Sequence, residues 1–489
     1  MGDVPVLPGF HPDPSICRVG EDHYLVTSSF EYFPGVPLFT SRDLVHWEQV
    51  GSVLDRPDQL RVRPGQAGAD GGIYAPTIRH HGGRFWLATT NIDQIVDGHL
   101  IVHAEDPAGP WSTPVFTAGT LGVDPDLAWD DDGTCHLTWS DPFGGIAQAT
   151  VDPFTGELTS PPRPLWEGTG LAHPEGPHLH RRGAWWYLVV AEGGTGPGHA
   201  VSVARAPAPT GPFESCPANP VLSHRSTGSA VQSTGHADLV ELADGSWAMV
   251  HLGVRPRGSF PKYHVNGRET FLAGIDWVDD WPVVVEDRFE VPPAETSFVD
   301  DFAGPALHPR WIAPGVDPTG FARPGEGGLR LAAGRAPESR EAERLLAVRC
   351  RDEQWTATAT VPHGDAALVV RLDDAHQVCL ERVGDAVAVR MVVGPLDQVL
   401  ARTTGVPADA PLAVRAVDVA GEPGFRKGPD RLELGVVEDG DVRVLASVDG
   451  RYLSTEVAGG FTGRVVGVEA LGGDAVVSRV TYTGGAALS

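Results

Sequence analysis

Apolar and polar positions alternate in short runs along the first part of the chain, and each run is soon broken by a turn rich in Gly, Asp or Pro. One pattern is written five times. Its copies are DPSICRVGEDHYLVTSS from Asp13, APTIRHHGGRFWLATTN from Ala75, DPDLAWDDDGTCHLTWS from Asp124, EGPHLHRRGAWWYLVVAE from Glu175 and HADLVELADGSWAMVHLG from His236. Each opens on a short polar stretch with Pro or Ala, passes an apolar residue and a polar turn, and ends in an aromatic-rich alternating strand. Units of about 50–60 residues built this way predict a five-bladed β-propeller, one blade of four short strands per unit. A second signature follows most copies: FTSRDLVHWEQV from Phe39, VHAEDPAGPWST from Val102, QATVDPFTGELT from Gln148 and VARAPAPTGPFES from Val203. A strand, a tight turn and an aromatic or apolar return make an outer hairpin. Trp47, Trp111 and Phe213 are expected to pack between neighbouring blades.

The texture changes between Glu286 and Ser297, where EDRFEVPPAETS is charged, proline-bearing and aperiodic. Beyond it, stretches such as AALVVRLDDAHQVCLERV and RLELGVVEDGDVRVLASVDG alternate as strands joined by Gly/Asp turns, which predicts a jelly-roll or lectin-like β-sandwich. The expected division is a propeller over residues 1–290 and a sandwich over 298–489. Only Glu338 to Leu345 shows a helical period. The fold class is all-β, and 60 Gly with 43 Pro, about a fifth of the 489 residues, suit many short strands joined by turns.

Charge narrows the partners. The net charge is −27 and lysine occurs only at Lys262 and Lys427, so the field repels nucleic acid and anionic membranes and favours a neutral substrate. Five scattered cysteines (Cys17, Cys135, Cys216, Cys350, Cys379) without a CxxC pair read as reduced residues, not a disulfide framework or zinc site. The first residues have no basic start and no apolar core, so no signal peptide is expected and the expected location is cytoplasmic. A homo-oligomer is compatible with this reading.

In a propeller the copies' openings begin the innermost strands. Asp13, Asp124, Glu175 and His236 then converge on one axis from four blades, with Ala75 and Thr77 in the remaining one. An Asp before a strand commonly caps a turn. Three carboxylates and a histidine in register are another matter, because like charges repel where water is scarce. That arrangement points to a catalytic pocket. The glycine-rich stretch Ala191 to His199 lacks the Lys of a phosphate loop and is expected at the pocket rim. Arg268 becomes a candidate pocket residue beside the acids.

The strings GFHPDPSI, SSFEYFPGVPLF, SRDLVHW, GVDPDLAWDDDG, PEGPHLH, TGHADLVE and GRETFL resemble glycoside hydrolase family 43, in its β-xylosidase and α-L-arabinofuranosidase branches with a C-terminal concanavalin-like sandwich. The resemblance implies an exo-acting hydrolase that cleaves a small oligosaccharide with inversion and releases a terminal pentose. It implies Asp13 as general base, Glu175 as general acid and Asp124 as the acid that orients Glu175 and raises its pKa. Phe30 and Tyr74 match sugar-facing aromatic positions, and Arg268 matches a donor to sugar hydroxyls. No cofactor is required. His236 matches a central histidine that in some relatives coordinates a cation, usually calcium, through water; a metal-free pocket histidine fits equally. Tyr74-Ala75-Pro76-Thr77 stands where some relatives have Trp and an acid, and Asp126 where a small residue is common; both changes bear on substrate preference. The competing readings are a retaining propeller glycosidase of another family, against which the absence of a WMNDPNG-type start argues, and a non-catalytic glycan-binding propeller, which needs no converging acids.

Overall fold

The computed structural model describes residues 3–485 apart from 64, 66, 335–343 and 420–427. The helical period expected from Glu338 therefore lies, up to residue 343, outside the described residues. Each copy of the repeat forms one four-stranded antiparallel sheet, numbered I to V in chain order. The first strands are Ser15–Val19, Thr77–His81, Val123–Trp129, Glu175–Arg182 and Gln232–Glu241. Each first strand touches the first strand of the next sheet, and that of sheet V touches that of sheet I, so the five sheets close into a ring. The N-terminal segment helps the closure, Leu7 bridging antiparallel to Thr270 of sheet V.

Between each neighbouring pair of sheets lies a separate apolar cluster. Period two explains how one strand serves two clusters. On Trp185–Glu192 in sheet IV, Trp186, Leu188 and Val190 face sheet III, while Tyr187 and Val189 pack with sheet V. A strand covered on both faces reads as a continuous apolar run, and full burial of each such side chain contributes about 1.5–3 kcal/mol. Trp111 lies in the cluster between sheets I and II, Trp47 packs on that between V and I, and Phe213 on that between III and IV. All three are packing residues, as their repeated position suggests. The five cysteines are buried free thiols.

Residues from Phe298 onward form two six-stranded antiparallel sheets and a smaller three-stranded one around one large core. The strand Trp355–Thr360 alternates buried and half-buried positions along its whole length, which is the pattern of a sheet with one face on the core. This second part is fastened to the ring rather than tethered. Phe10 and Tyr32 of the ring are fully buried among Ile312, Ala347, Val369 and Val465. Arg371 pairs with Glu31 at 2.6 Å with both side chains out of solvent, and its Nη1 donates to the Tyr32 hydroxyl at 3.0 Å. The Tyr263 hydroxyl donates to Asp430 at 2.7 Å. The backbones themselves meet at Gly463, where a Cβ would stand 2.3 Å from the Asn266 carbonyl oxygen.

Breaking one partner of a buried pair such as Glu31–Arg371 costs about 3–5 kcal/mol, and truncation would break it together with the apolar seam. A protein ending at Ser297 is therefore expected to aggregate or to be inactive. Size-exclusion chromatography and a glycosidase assay check this; a monodisperse, fully active truncation would contradict it.

Candidate active site

The backbone at the sheet openings is unusual in the same way four times. Asp13, Asp124 and His236 have φ of 55°, 59° and 46°, and Gly176, directly after Glu175, has φ of 57°. Left-handed backbone costs non-glycine residues roughly 1–3 kcal/mol each and persists where surrounding structure enforces it. In sheets III, IV and V the register shifts beside these residues, between Val123 and Asp126, Glu175 and His178, and Gly235 and Asp238. Such bulges redirect a side chain at a strand end.

These openings bring Asp13, Asp124, Glu175, His236 and Arg268 together. Asp13 is 5 % exposed. It accepts from Arg268 Nη1 at 2.9 Å and Nη2 at 3.3 Å, and from Ser28 Oγ at 2.6 Å; His236 Nδ1 lies 3.5 Å away. Burial pushes its carboxyl up, but Arg268, His236 and Ser28 outweigh burial and hold it below the ordinary aspartate value. Glu175 goes the other way. Burial first, then the charge of Asp13, raises it to about 7 against the opposing pull of Arg268. Asp124 is pushed well above the carboxylate range by burial and then by the charges of Glu175 and Asp13, although the Gly176 N–H donates to its Oδ2 at 3.0 Å. Asp124 and Glu175 titrate as a pair and resist losing both protons.

Both terminal nitrogens of Arg268 donate to Asp13, and further N–H groups of the same guanidinium remain for another acceptor. Its guanidinium lies over Phe461 at 5.1 Å and Phe30 at 5.9 Å. Phe30, Tyr74 and Phe461 form a three-ring wall with centroids 5.8–6.0 Å apart. Phe461 comes from the sandwich and was not legible as a site residue; its one local sign is an aromatic residue set among Gly459, Gly460 and Gly463 in an otherwise alternating region. Beside this wall opens a cavity of about 520 Å³, lined by Thr195, Gly196 and Pro197 of the expected rim loop and by Lys262, Arg268 and Phe461. His199 was missed as well. It is buried against Gly235, where a Cβ would stand 2.0 Å from the ring. Burial, then His236 and Arg268, lowers its pKa to about 3. Its Nδ1–H donates to the Gly194 carbonyl at 2.9 Å, so Nε2 is left as an acceptor without a partner.

Beneath this layer Arg79 of sheet II pairs with Asp126 at 2.7 Å and Asp238 at 2.8 Å, and His178 and His180 bond to the same acids. Asp126 is fully buried in this network, with its other oxygen accepting from Leu179 N at 2.9 Å, so it joins sheets II, III and IV rather than facing a sugar. Thr77 meets His178 at 3.4 Å in the same layer. His236 was a candidate cation ligand. Burial lowers its pKa to about 4, so the ring is neutral, but Arg268 stands close to it and Asp238 is already paired with Arg79. Among the described residues no group of three or more His, Cys, Asp or Glu is set to hold a metal. His236 would offer a cation one imidazole with a guanidinium close by, and the six to eight oxygen ligands that calcium takes would have to come mostly from water.

Two carboxyls tuned in opposite directions beside an aromatic wall define a class of enzyme, the glycosidases. Comparison with known proteins makes this specific. Residues 3–282 match the model for Glycosyl hydrolases family 43, and residues 299–480 match the Beta xylosidase C-terminal Concanavalin A-like domain. The chain belongs to glycosyl hydrolase family 43. It is similar to a non-reducing-end α-L-arabinofuranosidase of Bacteroides ovatus, 37% identical over 96% of this chain and 91% of that protein. It is also similar to a xylosidase/arabinosidase of Butyrivibrio fibrisolvens, 45% identical over 58% of this chain and 56% of the relative. The crystal structure of a xylan β-1,4-xylosidase from Bacillus halodurans superposes with a TM-score of 0.84, at 30% identity, over 98% of this chain and 99% of that one.

Proposed function

We propose that the ring is a five-bladed β-propeller over residues 1–290, that residues 298–489 are a docked concanavalin-like domain, and that together they release a terminal pentose, β-D-xylose or α-L-arabinofuranose, from short hemicellulose oligosaccharides. The observation that carries this reading is the opposite tuning of Asp13 and Glu175 in one pocket. The relatives named as xylosidase/arabinosidase and arabinofuranosidase support a pentose. The sandwich loop carrying Phe461 supports attack at a chain end, because it walls one side of the pocket. Inversion requires one ionised and one protonated carboxyl with room for water between them, roughly 6.5–9.5 Å.

Asp13 is the general base. A carboxylate offers about four acceptor positions; Ser28 and the two Arg268 nitrogens take three, which leaves one for the attacking water. Arg268 keeps Asp13 ionised and fixes its plane. Glu175 is the general acid. Water adds to the anomeric carbon as Asp13 takes its proton, the glycosidic C–O bond breaks, and Glu175 gives its proton to the leaving oxygen. Proton exchange with solvent restores both groups. Asp124 orients Glu175 through the Gly176 N–H and shares the proton load. Arg79 supplies a fixed cation in the layer beneath the pocket.

The pH–rate profile is expected to be a bell. Its acid limb follows Asp13, held below its ordinary value, and its alkaline limb follows loss of the proton that the coupled Asp124–Glu175 pair keeps, raised above the ordinary carboxylate range. Asp124→Asn removes the carboxyl coupled to Glu175, so Glu175 ionises without a like charge beside it and the alkaline limb moves down. An unmoved limb in an active Asp124→Asn enzyme would make Asp124 structural.

The leaving group separates acid from base. On nitrophenyl β-D-xyloside and nitrophenyl α-L-arabinofuranoside the protein is expected to turn over at least one. Glu175→Ala should lose much of its activity on a pentose disaccharide and keep far more on a dinitrophenyl pentoside, whose oxygen departs unaided. Asp13→Ala should lose about 10²–10⁴-fold on both. Rescue by the good leaving group at Asp13 instead of Glu175 would reverse the two roles, and no turnover of either pentoside would overturn the substrate reading.

A further inference from the structure

On another face of the seam between ring and sandwich lies a cavity of about 250 Å³ whose lining includes His11, His308, Arg310, Arg349 and Arg351. Other buried or half-buried arginines have partners: Arg79, Arg255, Arg268, Arg371 and Arg464 each pair with a carboxylate, and Arg382 donates to three backbone carbonyls. Around this cavity no arginine among the described residues has such a carboxylate. Arg349 is 5 % exposed. Its Nε donates to the Phe10 carbonyl at 3.0 Å, and its Nη2 is buried without a partner. Arg351 Nε is likewise buried and unpartnered. Arg310 lies over the Phe298 ring at 4.3 Å, and its Nε donates to His308 Nδ1 at 3.0 Å. Two acids also line the cavity, Glu48 and Glu295, but both are solvent-exposed and no ion pair joins either of them to these arginines.

The electrostatics agree with the geometry. Burial lowers all three arginines, Arg349 to about 10, and Arg351 lowers the other two further, so the cations repel one another across the space. His11 is held down by burial and then by Arg349 and Arg351. Asp300 pulls Arg310 the other way, and Asp352 and Glu269 do the same for Arg351, without cancelling the effect of burial. A protein of net charge −27 has acids to spare, yet among the described residues none is set in an ion pair with Arg310, Arg349 or Arg351. An uncompensated buried charge is costly unless something of opposite sign fills the gap.

We propose that this cavity is a binding site for a small oxyanion, inorganic phosphate or sulfate or the carboxylate of a small metabolite, held between Arg349 and Arg351 with Arg310 at its side. Planar guanidinium forks suit such oxygens. The volume admits the anion with water beside it. The site has a reason to matter for the rest of the molecule. Arg349 grips the Phe10 carbonyl, the neighbouring His11 N–H donates to the Arg268 carbonyl at 3.1 Å, and Asp13 lies two residues further on. An anion here would lock the sandwich to the segment that carries Asp13. This proposal does not rest on the glycosidase reading.

The test uses the full-length protein dialysed into chloride buffer. Phosphate, sulfate and malonate are titrated at constant ionic strength against chloride by calorimetry and by thermal melting. The expected result is one saturable site, a melting temperature that rises with ligand concentration as binding to the folded state requires, and affinity about tenfold weaker or worse in Arg351→Gln and in the partly exposed Arg310→Gln. Preference for phosphate and sulfate over malonate would assign a tetrahedral anion, and the reverse a carboxylate. No saturable effect beyond chloride would overturn the site, leaving a water-filled cavity. An effect unchanged in Arg310→Gln would overturn it too, by placing the anion elsewhere; this variant carries the test should Arg351→Gln fail to fold.

Discussion

Crowding carboxylates on the axis of a ring of sheets is the constraint to which the rest of this structure answers. Asp13, Asp124 and Glu175 are brought together by strained openings, and their repulsion has to be offset or exploited. Both happen. Arg268 offsets Asp13 in the pocket layer, and Arg79 bridges Asp126 and Asp238 in the layer beneath. What remains unbalanced is the Asp124–Glu175 pair, and that imbalance is the useful part. Raising Glu175 from 4.5 to about 7 corresponds to roughly 3 kcal/mol in favour of its protonated form. Had a second guanidinium been aimed at Glu175, both acids would be ionised and no proton donor would remain.

The sandwich belongs to the same balance. Pocket and clamp residues alternate along single stretches of chain: Phe10 is buried in the seam and Asp13 faces the pocket; Phe30 walls the pocket, and Glu31 and Tyr32 grip Arg371. Phe461 closes the wall from the opposite side. The strained backbone of Asp13 and Phe30, each at positive φ, is thus held by contacts made one to three residues away with a different part of the molecule.

Much of this was legible in the chain. The five copies could be read because strand alternation, turn chemistry and the polar openings are local features repeated at one period. The convergence of Asp13, Asp124, Glu175 and His236 followed from register alone. What could not be read depends on contacts between distant segments. Arg79 sits on a strand whose pattern is ordinary, and only the ring geometry brings Asp126 and Asp238 to it. Asp126 looked like a pocket residue because it is two positions from Asp124, but the bulge between Val123 and Asp126 separates the two fates. Phe461 and His199 lie on loops, where no periodicity marks a direction. The upward shift of Asp124 and Glu175 depends on how deeply the pair is buried, which no spacing reveals.

In the mechanism proposed for this pocket, water activated by Asp13 attacks directly while Glu175 protonates the leaving oxygen, with no covalent sugar on the enzyme. Proton NMR during the first minutes of hydrolysis of an aryl β-D-xyloside, or of an α-L-arabinofuranoside if that is the better substrate, reads this directly. The first sugar to appear is expected to have the opposite anomeric configuration to the substrate, α-xylose or β-arabinofuranose, before mutarotation mixes the forms. First appearance of the retained anomer would contradict it, because retention requires a carboxylate to act as nucleophile.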